Sequence, residues 1–86
     1  MPTKQLEIRG IHRQNIIDYI YQLHGKESKP NHYQGPSWTC TVSKEKTIRF
    51  FQSDIPVVFV TFWSDDKDVL ETILKKFRLK TFRAGG

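Results

Sequence analysis

Residues able to bind a metal or to catalyse a reaction are few in this sequence and lie far apart along it. His12, His24 and His32 are widely spaced, and Cys40 is the single cysteine. Zinc sites need histidines and cysteines at short, paired spacings, so we expect no metal site. No nucleophile stands with a base and a third orienting group, and no glycine-rich nucleotide loop is present. We therefore predict no catalytic residues, no cofactor and a protein that is not an enzyme.

Positive charge is concentrated at the end of the chain. Fourteen Lys and Arg residues against nine Asp and Glu residues give a net charge of +5, and no acidic residue follows Glu71. A basic block of this kind can match the dipole at the end of a helix or bind a negatively charged partner. We predict a partner-binding surface made of Lys76, Lys80, Arg83, Gly85 and Gly86.

The sequence ends in the pair Gly85-Gly86. Because glycine has no side chain, such an end can enter a narrow adenylating site and present its carboxylate. Ubiquitin-like sulfur carriers use tails of this kind, but they begin with a β-hairpin followed by a helix, whereas here a helix is predicted directly after the first strand. Residues 84–86 are predicted to be a flexible tail, and a sulfur-carrier role is one alternative.

A second candidate site lies in the middle of the chain. Residues 26–36 contain two prolines, a glycine and an asparagine, which predicts an exposed connection. His32 and Tyr33 within it, and Trp38 just after it, are candidate contacts for a ligand or partner in this loop. The alternative is that Trp38 belongs to the core while His32 and Tyr33 are solvated.

The elements that position these residues follow from the pattern of apolar residues. Alternation of apolar and polar residues predicts strands at 4–9, 38–43 and 48–52, and a continuous apolar run predicts a strand at 57–63. Apolar residues at the spacing of a helix predict helices at about 12–24 and 65–78. Thr81-Phe82-Arg83 is a candidate last strand. The order β-α-β-β-β-α-(β) predicts a single α+β domain over residues 1–86, with two helices packed on a curved antiparallel sheet.

Local signals refine this order. Gly25 is predicted to end the first helix in a left-handed conformation. Lys44-Glu45-Lys46 reads as a hairpin turn between the second and third strands, and Ser53 to Pro56 as a further turn. Val57 to Trp63 is apolar on both faces, which is typical of a central strand covered on both sides or lining a cavity.

Cellular location follows from cysteine use and hydropathy. A lone Cys40 is typical of a buried side chain in a protein of a reducing compartment. The longest apolar stretch, Ile55 to Trp63, is far shorter than the ~20 residues that span a membrane. The first five residues lack the apolar run of a signal peptide. We expect a cytoplasmic protein with no membrane association.

Two further alternatives concern partners. Basic residues interleave with Phe77, Leu79 and Phe82, and the predicted strands carry the aromatic residues Phe50, Phe51, Phe59 and Phe62. Both features favour a small basic nucleic-acid-binding domain. Against it, no RNA-recognition signature is present and residues 1–71 are neutral overall. An exposed edge on the third strand can pair two copies, so a homodimer is an alternative to a monomer.

Two segments resemble a known bacterial family. Leu6-Glu7-Ile8-Arg9-Gly10-Ile11 and the run from Phe77 to Gly86 are similar to the C-terminal domain of MoaD-related proteins, a domain of unknown function. The resemblance implies a fold like that of the TATA-binding protein, and an association with molybdenum or tungsten cofactor biosynthesis and sulfur transfer. It supplies no established active-site residues. The expected function is a non-enzymatic accessory or binding domain whose partner is a sulfur-carrier or molybdopterin-pathway protein.

Overall fold

The computed structural model describes residues 2–82, which form six strands and two helices. In chain order these are β1 (Thr3–Arg9), α1 (Arg13–Gln22), β2 (Lys26–Lys29), β3 (His32–Gly35), β4 (Trp38–Val42), β5 (Lys46–Phe50), β6 (Ser53–Trp63) and α2 (Lys67–Thr81). Every strand pair is antiparallel and the sheet does not close on itself. The predicted α+β class, with two helices and an antiparallel sheet, is confirmed. No helix within residues 2–82 is long and apolar enough to cross a membrane.

Strand β6 organises the sheet. β1 pairs along one of its edges from Val57 to Trp63, while β4 and β5 share the other edge. β3 and β2 continue beyond β4, which gives the order β1-β6-β4-β3-β2. The central position predicted for this apolar segment is therefore right, although the strand already begins at Ser53, where a turn was predicted.

The predicted hairpin turn at 44–46 is wrong, because β4 and β5 follow one another along the same edge of β6. Three residues separate Val42 from Lys46, whereas only two separate their partners on β6, so the chain forms a bulge. Ser43 attaches the bulge to β6. Its N–H donates to the Phe59 carbonyl and its Oγ accepts from the Phe59 N–H, both at 2.9 Å.

Glu45, within this bulge, caps the first turn of α1. Its Oε1 accepts from the Arg13 backbone N–H at 2.7 Å, and its Oε2 lies 3.3 Å from His12 Nδ1. The Arg13 side chain also binds the bulge, because it donates to the Ser43 carbonyl at 2.9 Å, and it donates to Asn31 Oδ1 as well. The hydrogen bond from the Arg13 backbone, more than the nearby His12, holds the pKa of the Glu45 carboxyl below its usual value. A cap distant in sequence thus positions α1, whose own N-cap residue makes no side-chain cap.

The hydrophobic core lies between both helices and one face of the sheet. Its residues come from α1 and the segments beside it (Ile11, Ile16, Ile17, Ile20, Leu23), from α2 (Leu70, Ile73, Phe77) and from the strands (Leu6, Tyr33, Trp38, Cys40, Val42, Val58, Val60, Phe62). Phe62 stands between Trp38 and Phe77, with ring centroids 5.7 and 5.1 Å away and edge-to-face geometry. Edge-to-face pairs of this kind add about 0.5–1.5 kcal/mol each to the burial of their surface.

Trp38 packs against two glycines. A Cβ at Gly35 would lie 2.0 Å from Trp38 Cε2, and one at Gly25 would lie 2.9 Å from Trp38 Cη2. The same Cβ at Gly25 would lie 2.6 Å from Ile20 Cγ2, so Gly25 makes room for both side chains rather than turning the chain. The left-handed conformation predicted for it belongs instead to His24, at φ 75°.

The exposed connection predicted for residues 26–36 is wrong, because this segment is the β2–β3 hairpin. All four residues of β2 are exposed, so the strand has no apolar face to create an alternating pattern. Asn31, at φ 69°, makes the turn. The last strand proposed for 81–83 is also not formed by the described residues, since α2 continues to Thr81 and Phe82 follows as its C-cap. Arg83 lies outside the described residues.

We expect the Gly35→Ala variant to lower the free energy of unfolding by about 1–3 kcal/mol, the usual cost of overpacking, because its Cβ must displace the Trp38 ring. Urea unfolding measures the change. Gly10→Ala is the control: nothing lies within 4 Å of its Cβ, so it reports only the strain of φ 84°, about 1 kcal/mol. An equal loss when alanine is introduced at 35 in a Trp38→Leu background would contradict the assignment to this ring.

Candidate functional site

A groove of about 660 Å³ runs along α2, between that helix, the end of α1 and the start of β4. Its size falls within the ~300–1,000 Å³ typical of ligand sites. The apolar residues that line it are Leu23, Pro36, Trp38, Val69, Ile73 and Leu79, and the polar ones are Gln22, His24, Asp68, Thr72, Lys76 and Lys80. Although six of the twelve lining residues are polar, most of the exposed surface of the groove is apolar. Such a groove can hold an apolar ligand or side chain and orient it through its polar groups.

One wall of the groove is rigid. Trp38 is only 4% exposed, and its indole is held between Gly25, Gly35 and the Phe62 ring. Because this ring is packed on both sides, it cannot move aside for a ligand without disturbing the core. The groove is therefore largely preformed on the sheet side.

Charge in the groove is asymmetric along α2. Asp68 lies in the first turn of the helix, and Lys76 and Lys80 lie near its end, one helical turn apart. At 1.5 Å of rise per residue, about 18 Å separates the acidic end from Lys80. Lys80 Nζ also donates to Gln22 Oε1 at 2.8 Å, which links α2 to the end of α1. An occupant with a negative group would be attracted to the lysine end.

The end of α2 also exposes apolar side chains. Leu79 is 71% exposed and Phe82 is 76% exposed, and both line a second, smaller depression of about 360 Å³ together with Glu71, Leu74, Lys75 and Arg78. We call Lys75, Lys76, Arg78, Leu79, Lys80 and Phe82 the α2-end surface. Apolar anchors surrounded by basic residues are the composition expected of a protein interface with an acidic partner.

The structure divides the residues that the sequence singled out. Lys76, Lys80 and Trp38 line the same groove, although Trp38 was assigned to a different candidate site. His32 and Tyr33 lie on β3 and Trp38 on β4, so the predicted loop containing them is wrong. Trp38 is buried, as the core alternative predicted, and His32 is partly exposed. The solvated position predicted for Tyr33 is wrong, because its ring is 3% exposed and packs in the core below β3.

The remaining members of the predicted partner surface are Arg83, Gly85 and Gly86, which lie outside the described residues, as does the predicted tail at 84–86. Their role stays a prediction. The groove residues Gln22, Asp68 and Thr72 were not predicted, since only the packing of α1 against α2 brings Gln22 next to the α2 face that carries Asp68 and Thr72.

The structure also locates the potential metal ligands and the single cysteine. Within residues 2–82 no three His, Cys, Asp or Glu side chains lie close enough together to hold a metal ion. Cys40 is 2% exposed on β4, and burial raises the pKa of its thiol to about 12. A thiol with that pKa is almost entirely protonated at neutral pH and so is a poor nucleophile.

Comparison with known families agrees with the resemblance drawn from the sequence. Residues 4–86 match the model of a family described as archaeal MoaD-like protein. The match confirms a MoaD-related protein, and the family it identifies is archaeal, whereas the resemblance was to a bacterial one. The match includes both Gly85 and Gly86. No curated protein matches this chain closely enough to be compared with it.

We expect Cys40 to be unreactive in the folded protein, because its thiol is buried and protonated. With a chromogenic disulfide reagent at pH 8, labelling of the native protein should be slow and should become rapid in unfolding concentrations of urea. A Cys40→Ala variant should show no labelling under either condition. Fast labelling of the native protein, at the rate seen in urea, would contradict the burial of this thiol.

Proposed function

We propose that this chain, which belongs to the archaeal MoaD-like protein family, is a sulfur-carrier-like protein whose reacting group is the carboxylate of Gly86. The observation that supports this most strongly is the extent of the family match, which reaches the Gly85-Gly86 pair. In this role the chain is the substrate of a partner enzyme and has no catalytic residues of its own.

The chemistry required of the tail is simple. An adenylating enzyme transfers AMP from ATP to the Gly86 carboxylate and releases pyrophosphate. Hydrosulfide, as the sulfur donor, then attacks the carbonyl carbon of the acyl adenylate, so that a C–S bond forms and the C–O bond to AMP breaks. AMP leaves, and the product is a thiocarboxylate in which one oxygen of the carboxylate has been replaced by sulfur. Two glycines suit this reaction because they present the carboxylate without side chains that would obstruct a narrow site. Cys40 takes no part, since it is only 2% exposed and burial raises the pKa of its thiol to about 12.

The α2-end surface is the docking site that we assign to the partner. It ends at Phe82, only four residues before Gly86, so a partner bound there has the tail within reach. Leu79 and Phe82 supply exposed apolar contact, and the surrounding lysines and Arg78 favour a partner with an acidic surface.

A second candidate is the accessory role: a domain that binds a sulfur-carrier or molybdopterin-pathway protein without being modified itself. The element order supports this candidate. α1 follows β1 directly here, whereas ubiquitin-like carriers begin with a β-hairpin before their helix. In the accessory role, the groove beside α2 would hold a segment of the partner.

Intact-mass measurement separates the two candidates. After incubation with the host's carrier-adenylating enzyme, ATP and a sulfur donor, the carrier proposal expects a mass gain matching the exchange of one oxygen for sulfur. A variant lacking Gly85 and Gly86 should show no gain. If an established carrier is modified in the same mixture and this chain is not, the carrier proposal is wrong and the accessory role remains.

Charge reversal tests the docking surface. The variant Lys76→Glu/Lys80→Glu/Arg83→Glu should bind the adenylating enzyme at least about tenfold more weakly, because it places acids where an acidic partner docks. Lys26→Glu/Lys29→Glu/Lys46→Glu is the matched control, with the same change in net charge on the sheet. Surface plasmon resonance measures both. Equal affinities for the wild type and the α2 variant would remove this surface from the interface.

A further inference from the structure

One face of the sheet has no helix packed on it within residues 2–82. Along β6, the side chains of Val58, Val60 and Phe62 point into the core with both helices, so Val57, Phe59 and the alternate residues point to the opposite side. Val57 is only 3% exposed, yet it is not a member of the core cluster. We call this side the helix-free face, and it corrects the expectation that β6 is covered on both sides.

Two aromatic residues lie in line on the helix-free face. Phe59 and Trp63 are four residues apart on β6, about 13 Å along the strand, and both are partly exposed. The strand register places Thr41 and Gln5 beside Thr61, between the two rings. The face therefore combines aromatic surfaces with neighbouring groups that can donate and accept hydrogen bonds.

The fold separates the charges between the two sides of the sheet. Register and alternation put Arg9, Lys26, Lys29 and Lys46 on the helix-free face, where the only acidic residue is Glu7. The other eight acids lie elsewhere: on or before α2 (Asp65, Asp66, Asp68, Glu71), on α1 (Asp18), at its N-terminus (Glu45) and on the helix side of the sheet (Glu27, Asp54). Residues 1–71, which are neutral overall, thus present a basic surface on one side of the sheet.

We propose that the helix-free face binds single-stranded nucleic acid. The bases stack on Phe59 and Trp63, and the phosphates contact Lys46 at one end and Lys26 and Lys29 at the other. Arg9 is left out of these contacts because its Nε is ion-paired with Glu7 Oε2 at 2.9 Å. Stacking requires unpaired bases, which favours a single strand over a duplex. A second copy of the chain is disfavoured as the occupant, because two faces of the same positive charge would repel each other. This proposal does not depend on the sulfur-carrier function.

The first measurement is the fluorescence anisotropy of a labelled oligouridylate of about 12 nucleotides, within the range of known single-strand site sizes. Three phosphate contacts predict a slope of about −2 for the logarithm of affinity against the logarithm of salt. A fourfold rise in salt should then weaken binding about 16-fold. Absence of binding at low salt overturns the proposal.

Two variants with the same change in net charge locate the binding site. Lys26→Glu/Lys29→Glu/Lys46→Glu should weaken binding at least about tenfold, whereas Lys75→Glu/Lys76→Glu/Arg78→Glu, on α2, should weaken it less than about threefold. All six residues are exposed, so neither variant should disturb the core. Equal losses in both variants, or a larger loss in the α2 variant, overturn the assignment to this face.

Tryptophan emission tests the stacking. Of the two tryptophans, Trp38 is buried in the core and Trp63 lies on the helix-free face, so binding should quench Trp63 alone. The quenching should disappear in the Trp63→Phe variant. This variant should keep most of its affinity, because the phenyl ring can still stack on a base. Quenching that persists in this variant places the strand near Trp38 and overturns the proposal. The proposal is also overturned if light scattering finds a dimer that the Phe59→Ser variant dissociates.

Discussion

The edge-to-face contact of Phe62 with Trp38 on one side and Phe77 on the other connects the sheet to α2, and the remaining surfaces depend on it. Because Phe62 and Phe77 are both fully buried, the axis of α2 cannot shift without breaking the contact between these two rings. The same contact fixes the position of Trp38 in one wall of the groove and of Lys76 on α2, which forms the facing wall. The glycines at 25 and 35 belong to this arrangement, since no side chain fits where the indole lies.

A second constraint acts at the opposite end of the molecule, where the bulge after β4 meets α1. The extra residue in the bulge lets β4 and β5 share one edge of β6, and it turns Glu45 toward the Arg13 N–H, the first of α1. Arg13 then ties the bulge to the β2–β3 turn through Asn31. Both ends of α1 are thus held by contacts from distant parts of the chain, which keeps the groove beside its C-terminal end in place.

Charge is distributed so that the two sides of the molecule can serve different partners. α2 begins with the Asp66 carboxylate, which accepts from the N–H groups of Asp68 and Val69, and it ends in bases, as the helix dipole favours. Confining most acids to α2 and the helix side leaves the other side of the sheet basic. A protein partner at the end of α2 and a polyanion on the helix-free face would therefore not compete for the same residues.

Much of the architecture is encoded locally and was predictable. The apolar stripe of α2, its acidic start and basic end, and the all-apolar β6 are properties of short segments, and the α+β class follows from them. Local patterns failed where an element depends on partners. β2 has no apolar face and exists because β3 pairs with it, and 44–46 resembles a turn although its conformation is set by β6.

The sequence alone determined the helices, the central strand, the basic end and the Gly-Gly pair. Only the tertiary structure decided that Trp38 joins Lys76 and Lys80 at one groove, and that four distant bases share one face of the sheet. Strand register and helix packing bring together residues that no local pattern connects.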